Sequence, residues 1–257
     1  MTPQTTSSLF VPQGKRATLP VRRLAVPPSA AIPRHIALAS SPSARGASAG
    51  VDALNDCISA SLSAGVSYFS LLLADEKELA RHPAHAQILL QETLDFLRAA
   101  AGDFAARGIA VRIIGARPGA HGRLFDSLCA AAEFPVHDPL LHVSIALNYD
   151  GRADLLRAVK RLAQQARAGA HAGALDAGAL AQKLSSGGLP PVDLLIRAAG
   201  RTGLSHFLLW NAAYAELLFV NVAWSEFRAR QMRLALDDYA RRRRTFGALP
   251  PAPAPRR

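Results

Sequence analysis

The sequence predicts an α/β fold, a mainly parallel six-stranded sheet with helices on both faces. Two observations predict it. Six short apolar runs alternate with amphipathic stretches from Arg34 onward, the pattern of strands joined by right-handed helical crossovers. Half of the 257 residues are hydrophobic, enough to bury a full core and to cover such a sheet on two sides.

The elements follow in order. Residues 1–33 carry Pro3, Pro12, Pro20, Pro27, Pro28 and Pro33. Proline lacks a backbone donor and discourages helix, so a disordered, basic, proline-rich arm is expected there. A single domain over 34–247 opens with the strand HIALA (35–39) and a helix from Val51 to Ala64. YFSLLL (68–73) is the second strand, Ala84 to Arg107 a long helix, and VRII (111–114) the third strand. A helix from Gly122 to Ala132 leads to LHVSIALNY (141–149), then to a helix over Arg152–Arg167 and a short one near Asp176–Leu184. DLLIR (193–197) and ELLFVNV (216–222) complete the six strands, and a last helix runs from Phe227 to Arg244. Residues 248–257 form a proline-rich tail, expected to be extended. There is no internal repeat.

The formal net charge of +11 raises a nucleic-acid reading. Its distribution argues against one. Residues 1–51 hold six cations and no acid, and 241–257 hold six arginines and no acid. Those twelve charges exceed the net value, so the body between them is close to neutral, and no aromatic stacking platform accompanies the basic ends. Basic tails suit anionic headgroups or an acidic partner, or serve only to solubilise. Cys57 and Cys129 are too few for a disulfide framework and lack metal-ligand spacing. No apolar run is long enough to span a bilayer, and the start lacks a signal-peptide core. A cytoplasmic protein with peripheral membrane contact at most is the expectation.

In a parallel sheet the ligand lies beyond the carboxyl ends of the strands, which selects loops 40–50, 74–82, 148–152 and 197–205 as the walls of one crevice. Arg197 closes an apolar strand there. Burying a guanidinium without a partner costs several kcal/mol, so an anion beside it is expected, with an internal ion pair to Asp193 or Glu216 as the alternative. Gly200 and Gly203 allow close backbone approach, and Ser205 with free amides at a helix start would complete a phosphate cradle. Asp75, Glu76 and Glu78 follow the second strand, where carboxylates either bind a metal, act as a base or stay solvated. His82 and His85 have near-ligand spacing, but Pro83 interrupts the turn between them, which makes them surface residues.

The segment DLLIRAAGRTGLSHFLLWNAAYAELLFVNVAWSEF (193–227) resembles the C-terminal signature of cis-prenyltransferases, the undecaprenyl diphosphate synthase family. ALNYDGR (146–152) is similar to that family's Leu-Asn-Tyr-Gly-Gly-Arg, and ARRRRTFG (240–247) to its basic end. The likeness runs in order from His35 to Gly247. It implies a prenyltransferase, transferring alkyl groups other than methyl, that adds isopentenyl diphosphate to an allylic diphosphate in a hydrophobic tunnel, with magnesium and as a homodimer. By the same resemblance Arg197 and Ser205 hold the phosphates of isopentenyl diphosphate and Glu216 is a magnesium ligand. Arg81 matches an arginine after the family's second-loop motif. Trp210 and Tyr214 fall on structural positions of the signature, where core packing explains them equally well.

The departures from the family pattern concern the chemistry. Where the family reads His-Ile-Ala-x-Ile-Met-Asp-Gly-Asn-Gly-Arg-Trp-Ala, this chain reads HIALASSPSARGASAG (35–50), with Ser40 or Ser41 at the catalytic aspartate and Pro42 after it. A hydroxyl brings no negative charge for a hard cation, which weakens a magnesium site. The family's Phe-Ser-x-Glu-Asn-Trp becomes LLADEKEL (72–79), Arg201 replaces a Glu, Gly203 replaces a second phosphate-binding Arg, and His206 replaces an Asn. An inward Arg201 would supply by guanidinium the charge that magnesium supplies in the family; an outward Arg201 would not. His206 is a candidate phosphate donor or proton carrier, or a packing residue. Two functions follow: a divergent enzyme processing prenyl diphosphates with non-standard site chemistry, or a catalytically silent accessory subunit in a heterodimer with an active relative. Accessory chains of that kind keep a C-terminal Arg-x-Gly, which RRTFG (243–247) does not reproduce.

Overall fold

The computed structural model describes residues 32–40, 47–168 and 176–242. The expected arm, except Ile32 and Pro33, the Ser41–Arg45 stretch, Arg243, Arg244 and the proline-rich tail lie outside the described residues. The elements are β1 (His35–Ala39), α1 (Ala47–Ser63), β2 (Tyr68–Asp75), α2 (Glu76–Arg81), α3 (Pro83–Ala106), β3 (Ile109–Ile114) and α4 (Gly122–Ala132). They continue with β4 (Leu141–Tyr149), α5 (Gly151–Arg167), α6 (Ala177–Lys183), β5 (Leu194–Arg197), β6 (Glu216–Phe219), a 3-10 turn (Trp224–Glu226) and α7 (Ala229–Ala240).

The six strands form one sheet in the order β3-β4-β2-β1-β5-β6, and every adjacent pair is parallel. From β1 the chain first builds outward on one side through β2, β4 and β3, then returns to the other side for β5 and β6. The connection reverses at β1, so the crevice beside its carboxyl end is the topological switch point, the place where open α/β sheets bind ligands.

Alternation along β1 divides the core. Ile36 and Leu38 enter the larger cluster, with Leu54 and Ile58 of α1, Leu90 and Leu97 of α3, and Met232 of α7. Ala37 and Ala39 face a smaller cluster with Leu72, Ala146, Leu195, Phe207 and Leu208. Small residues on this second face of β1 let the segment after β5 pack closely on the sheet. That segment carries the signature residues, so its packing fixes their position.

Three details differ from the sequence expectation. The 74–82 loop contains α2, because Asp75 and Glu78 close a capping box: the Glu78 amide donates to Asp75 Oδ1 at 2.7 Å, and the Asp75 amide to Glu78 Oε2 at 3.3 Å. Pro83 then opens α3 at its first turn, where a missing donor costs nothing. The last strand ends at Phe219, the register partner of Arg197, because beyond Arg197 the neighbouring chain takes left-handed φ values at Ala199 and Gly200 and leaves the extended ladder. Among the described residues no helix is long and apolar enough to cross a membrane.

Candidate functional site

Arg197 ends β5 directly opposite Ala39, the last residue of β1. Only 7% of it is exposed. Its Nε donates to the Gly203 carbonyl at 3.1 Å, and its Nη1 lies 3.5 Å from the Ala39 carbonyl. Both acceptors are neutral, and no carboxylate among the described residues pairs with the guanidinium. Burial first, and then the like charge of Arg201, hold its pKa below the ordinary guanidinium value; it still carries its charge at any working pH. The internal ion pair considered as an alternative does not form. Asp193 Oδ2 accepts from the His35 amide at 3.0 Å, and Glu216 Oε2 sits 3.3 Å from Arg242 Nη1.

The loop after Arg197 is pinned by its own backbone. Ala198 donates to the Ala39 carbonyl, Ala199 to Val222 and Gly200 to Val220. Ala199 and Gly200 adopt left-handed φ values of 63° and 65°, a conformation that glycine takes without strain, and a Cβ on Gly200 would meet the Asn221 side chain at 2.7 Å. These three amides are already spent, and residues 206–214 are turns with no helix start. The expected cradle of free amides at a helix N-terminus is therefore corrected at these positions. What remains for an anion is side-chain charge and hydroxyl, together with the Arg201–Ser205 amides, none of which bonds to backbone among the described residues. Arg201 is exposed beside the buried Arg197. Ser205 is 8% exposed, and its Oγ accepts from the Phe207 amide at 3.0 Å, which leaves the hydroxyl proton available as a donor.

The far end of this loop reaches β2 and β4. His206 Nε2 lies 3.6 Å from Asp75 Oδ2, an ion pair rather than a hydrogen bond at that length. The Asp75 carboxylate raises the His206 pKa above 6.5; burial opposes this and Asp150 adds to it. Burial alone would raise the Asp75 carboxyl, but His206 and the α2 amides outweigh it, and the net direction is down. Asp150 caps α5, accepting from the Arg152 and Ala153 amides at 2.8 and 3.1 Å. Gly151 is forced: a Cβ there would stand 2.0 Å from the His206 carbonyl. Asp150 was not anticipated, although a strand ending in Tyr-Asp-Gly before an amphipathic stretch is a helix-cap signature.

The remaining candidates are not brought to this site within the chain. Glu216 starts β6 in register with Leu194, at the amino end of the sheet, whereas Arg197 is at the carboxyl end. Arg81 is exposed on the last turn of α2, and no hydrogen bond joins it to Arg197, Ser205 or His206. His82 is exposed at the α2–α3 junction and His85 half-buried. Trp210 and Tyr214 are 38% and 68% exposed, so core packing does not explain them. Two open surface cavities of about 480 and 540 Å³, between α5 and α6 and around Arg117–Leu124, hold none of the signature residues.

The described residues do not fit a magnesium ion. Ser40 Oγ donates to the Leu72 carbonyl at 2.8 Å, Asp75 and Glu78 cap α2, and among the described residues no three His, Cys, Asp or Glu side chains cluster. A hard divalent cation needs several anionic or carbonyl oxygens at one point.

The family model described as "Putative undecaprenyl diphosphate synthase" matches residues 34–247. A ditrans,polycis-undecaprenyl-diphosphate synthase of Xanthomonas oryzae is 36% identical over 234 residues, covering 86% of this chain and 91% of that protein. An isoprenyl transferase of Zymomonas mobilis is 34% identical over 231 residues, covering 85% and 93%. The crystal structure of lavandulyl diphosphate synthase from Lavandula x intermedia superposes with a TM-score of 0.72 at 24% identity, covering 84% of this chain and 98% of that one. The parallel sheet with its switch point at β1 is thus the fold of those proteins, and by the extent of the sequence match this chain belongs to the undecaprenyl diphosphate synthase family, the cis-prenyltransferases.

Proposed function

We propose that this chain binds a prenyl diphosphate at the carboxyl end of β5 and transfers its prenyl group, with guanidinium charge from Arg197 and Arg201 neutralising a diphosphate that the family pattern neutralises with magnesium. The observation that supports it is the buried, carboxylate-free Arg197 at the switch point, with Arg201 as a second cation beside it. When the allylic C–O bond breaks, the diphosphate leaves with the electron pair and gains negative charge. Arg197, oriented by its bond to the Gly203 carbonyl, and the exposed Arg201 beside it stabilise that charge. Ser205 would donate its hydroxyl proton to a phosphate oxygen, and the Gly203 carbonyl keeps the Arg197 fork oriented. The alkene of isopentenyl diphosphate then forms the new C–C bond to the allylic cation, and the proton it loses passes to the departing diphosphate.

The test is incubation of the purified chain with isopentenyl, dimethylallyl, geranyl and farnesyl diphosphates, with magnesium and with a chelator, and analysis of all products. Diphosphate binding that persists in chelator and is lost in R197Q supports the reading. Affinity that vanishes with chelator and returns with magnesium overturns the metal-free part.

One observation favours a second reading, an accessory subunit paired with an active relative. Ser40, at the carboxyl end of β1, spends its hydroxyl on a main-chain carbonyl and carries no charge. Inactivity of the isolated chain together with rescue on co-purification with an intact synthase supports it. In either reading association, as homodimer or heterodimer, would use the β6 edge, where Phe219 is 43% exposed and where Tyr214 and Trp210, in the segment leading into β6, are exposed too.

A further inference from the structure

The loop that carries Arg201, Gly203 and Ser205 is exposed from Gly200 to Leu204 but held at its two ends. At the first end the hold is uncharged: the Ala198, Ala199 and Gly200 amides, and the Arg197 bond to the Gly203 carbonyl. At the second end Phe207 and Leu208 are fully buried and the Phe207 amide donates to Ser205 Oγ, and the charged hold there depends on a proton. His206 faces Asp75 at 3.6 Å, with its backbone carbonyl backed against Gly151. Its Nδ1 is shielded from solvent and has no hydrogen-bond partner among the described residues. Asp75 is itself fixed by the Glu78 amide, so it cannot follow a moving ring.

We propose that His206, through its ion pair with Asp75, positions the anion-binding loop 198–205, and that the loop binds a diphosphate at full strength only while that imidazole carries its proton. The inference rests on the proposed diphosphate site and adds its control. The charges facing His206 are Asp75 at the end of β2, Asp150 before α5 and Lys77 on α2. The two carboxylates favour the imidazolium and Lys77 disfavours it; the direction is upward from 6.5. The pair is therefore complete when Asp75 is ionised and His206 protonated, and it is lost as pH rises through the raised His206 value. Above that point the loop keeps its uncharged holds, the Ala198, Ala199 and Gly200 amides, the Arg197 bond to the Gly203 carbonyl and the Ser205–Phe207 contact, and loses the charged one. His206 is a positioning residue in this account, not a catalytic one.

The experiment is calorimetric titration of the full chain with inorganic pyrophosphate in chelator from pH 6 to 9, for the wild type, H206N, H206K, D75N and R197Q. Wild-type affinity is expected to fall about tenfold more than that of H206N over this range, the worth of one charge-assisted contact. H206K, with a fixed cation, restores the affinity without its pH dependence, and D75N moves the midpoint to lower pH. The His206 titration followed by NMR in ligand-free protein reads the pair without any anion. A midpoint at the ordinary histidine value, or an H206N profile identical to the wild type, overturns the inference while R197Q-sensitive binding leaves the proposed function standing. Absence of pyrophosphate binding at every pH overturns both.

Discussion

The guanidinium of Arg197 and the carbonyl of Ala39, register partners at the carboxyl ends of β5 and β1, face each other 3.5 Å apart with no carboxylate between them. A cation satisfied by neutral oxygens keeps most of its charge available to a ligand. That distinguishes it from Arg242, whose charge is shared between Glu216 and Asp238.

The contrast gives a first prediction. Removing one member of a buried ion pair costs about 3–5 kcal/mol, because the partner is left charged and alone. Arg197 leaves no such partner, so R197Q is expected to cost only roughly 1–3 kcal/mol, for the carbonyl contacts it loses. Diphosphate affinity should fall by more than about tenfold, the worth of a charge-assisted bond. Urea melts give the first quantity and calorimetry the second. A fall in stability without a fall in affinity would assign Arg197 to structure alone.

Glu216 is expected to behave in the opposite way. Its pair with Arg242 is part-exposed, and Arg242 also holds the Leu217 carbonyl at 2.9 Å. E216Q should therefore cost less than about 1 kcal/mol and leave pyrophosphate affinity in chelator unchanged. If the affinity measured with magnesium depends on Glu216, the carboxylate acts as a ligand in an assembly that the single chain does not contain.

The sequence and the structure part at these two residues for a topological reason. Strand and helix types were legible because alternating apolar runs and amphipathic stretches carry their own period. The crevice walls were legible because one rule places ligands at the carboxyl ends of parallel strands. Glu216 follows Arg197 closely in sequence, but a parallel β5–β6 pair puts the start of one strand beside the start of the other, so the two residues lie at opposite ends of neighbouring strands. The short α2 was hidden for a different reason. A charged Asp-Glu-Lys-Glu reads as loop until Asp75 and Glu78 are seen as reciprocal caps three residues apart. The His206 pair with Asp75 joins residues 131 positions apart and has no local signal at all.

Gly151 links the helix α5 to that pair, and its substitution separates packing from charge. A Cβ there would overlap the His206 carbonyl at 2.0 Å, against backbone that cannot rotate away. G151A is expected to destabilise by roughly 1–3 kcal/mol, as overpacking does. By displacing His206 from Asp75 it should also bring the His206 NMR titration back toward 6.5. A stability loss with an unmoved titration would place the strain elsewhere in the segment.

His35 predicts an acid limit to the fold. The ring is fully buried in β1, within 2.9 Å of the Pro190 carbonyl at Nδ1 and of Ser70 Oγ at Nε2. Burial, only partly offset by the Pro190 carbonyl and Asp193, lowers its pKa from 6.5 to about 4. The folded state therefore binds this proton less readily than the unfolded state. The sign follows: stability is full above pH 6.5 and is lost as pH falls from 6.5 toward 4. Each unit of difference is worth about 1.4 kcal/mol, which makes the loss about 2 kcal/mol at pH 5. Urea melts at pH 7 and pH 5 measure it, with H35Q as the control. The glutamine does not titrate, so its variant should start less stable at pH 7 and lose about 2 kcal/mol less on acidification. Equal losses in the two proteins would mean that other groups, not the buried imidazole of β1, set the acid limit.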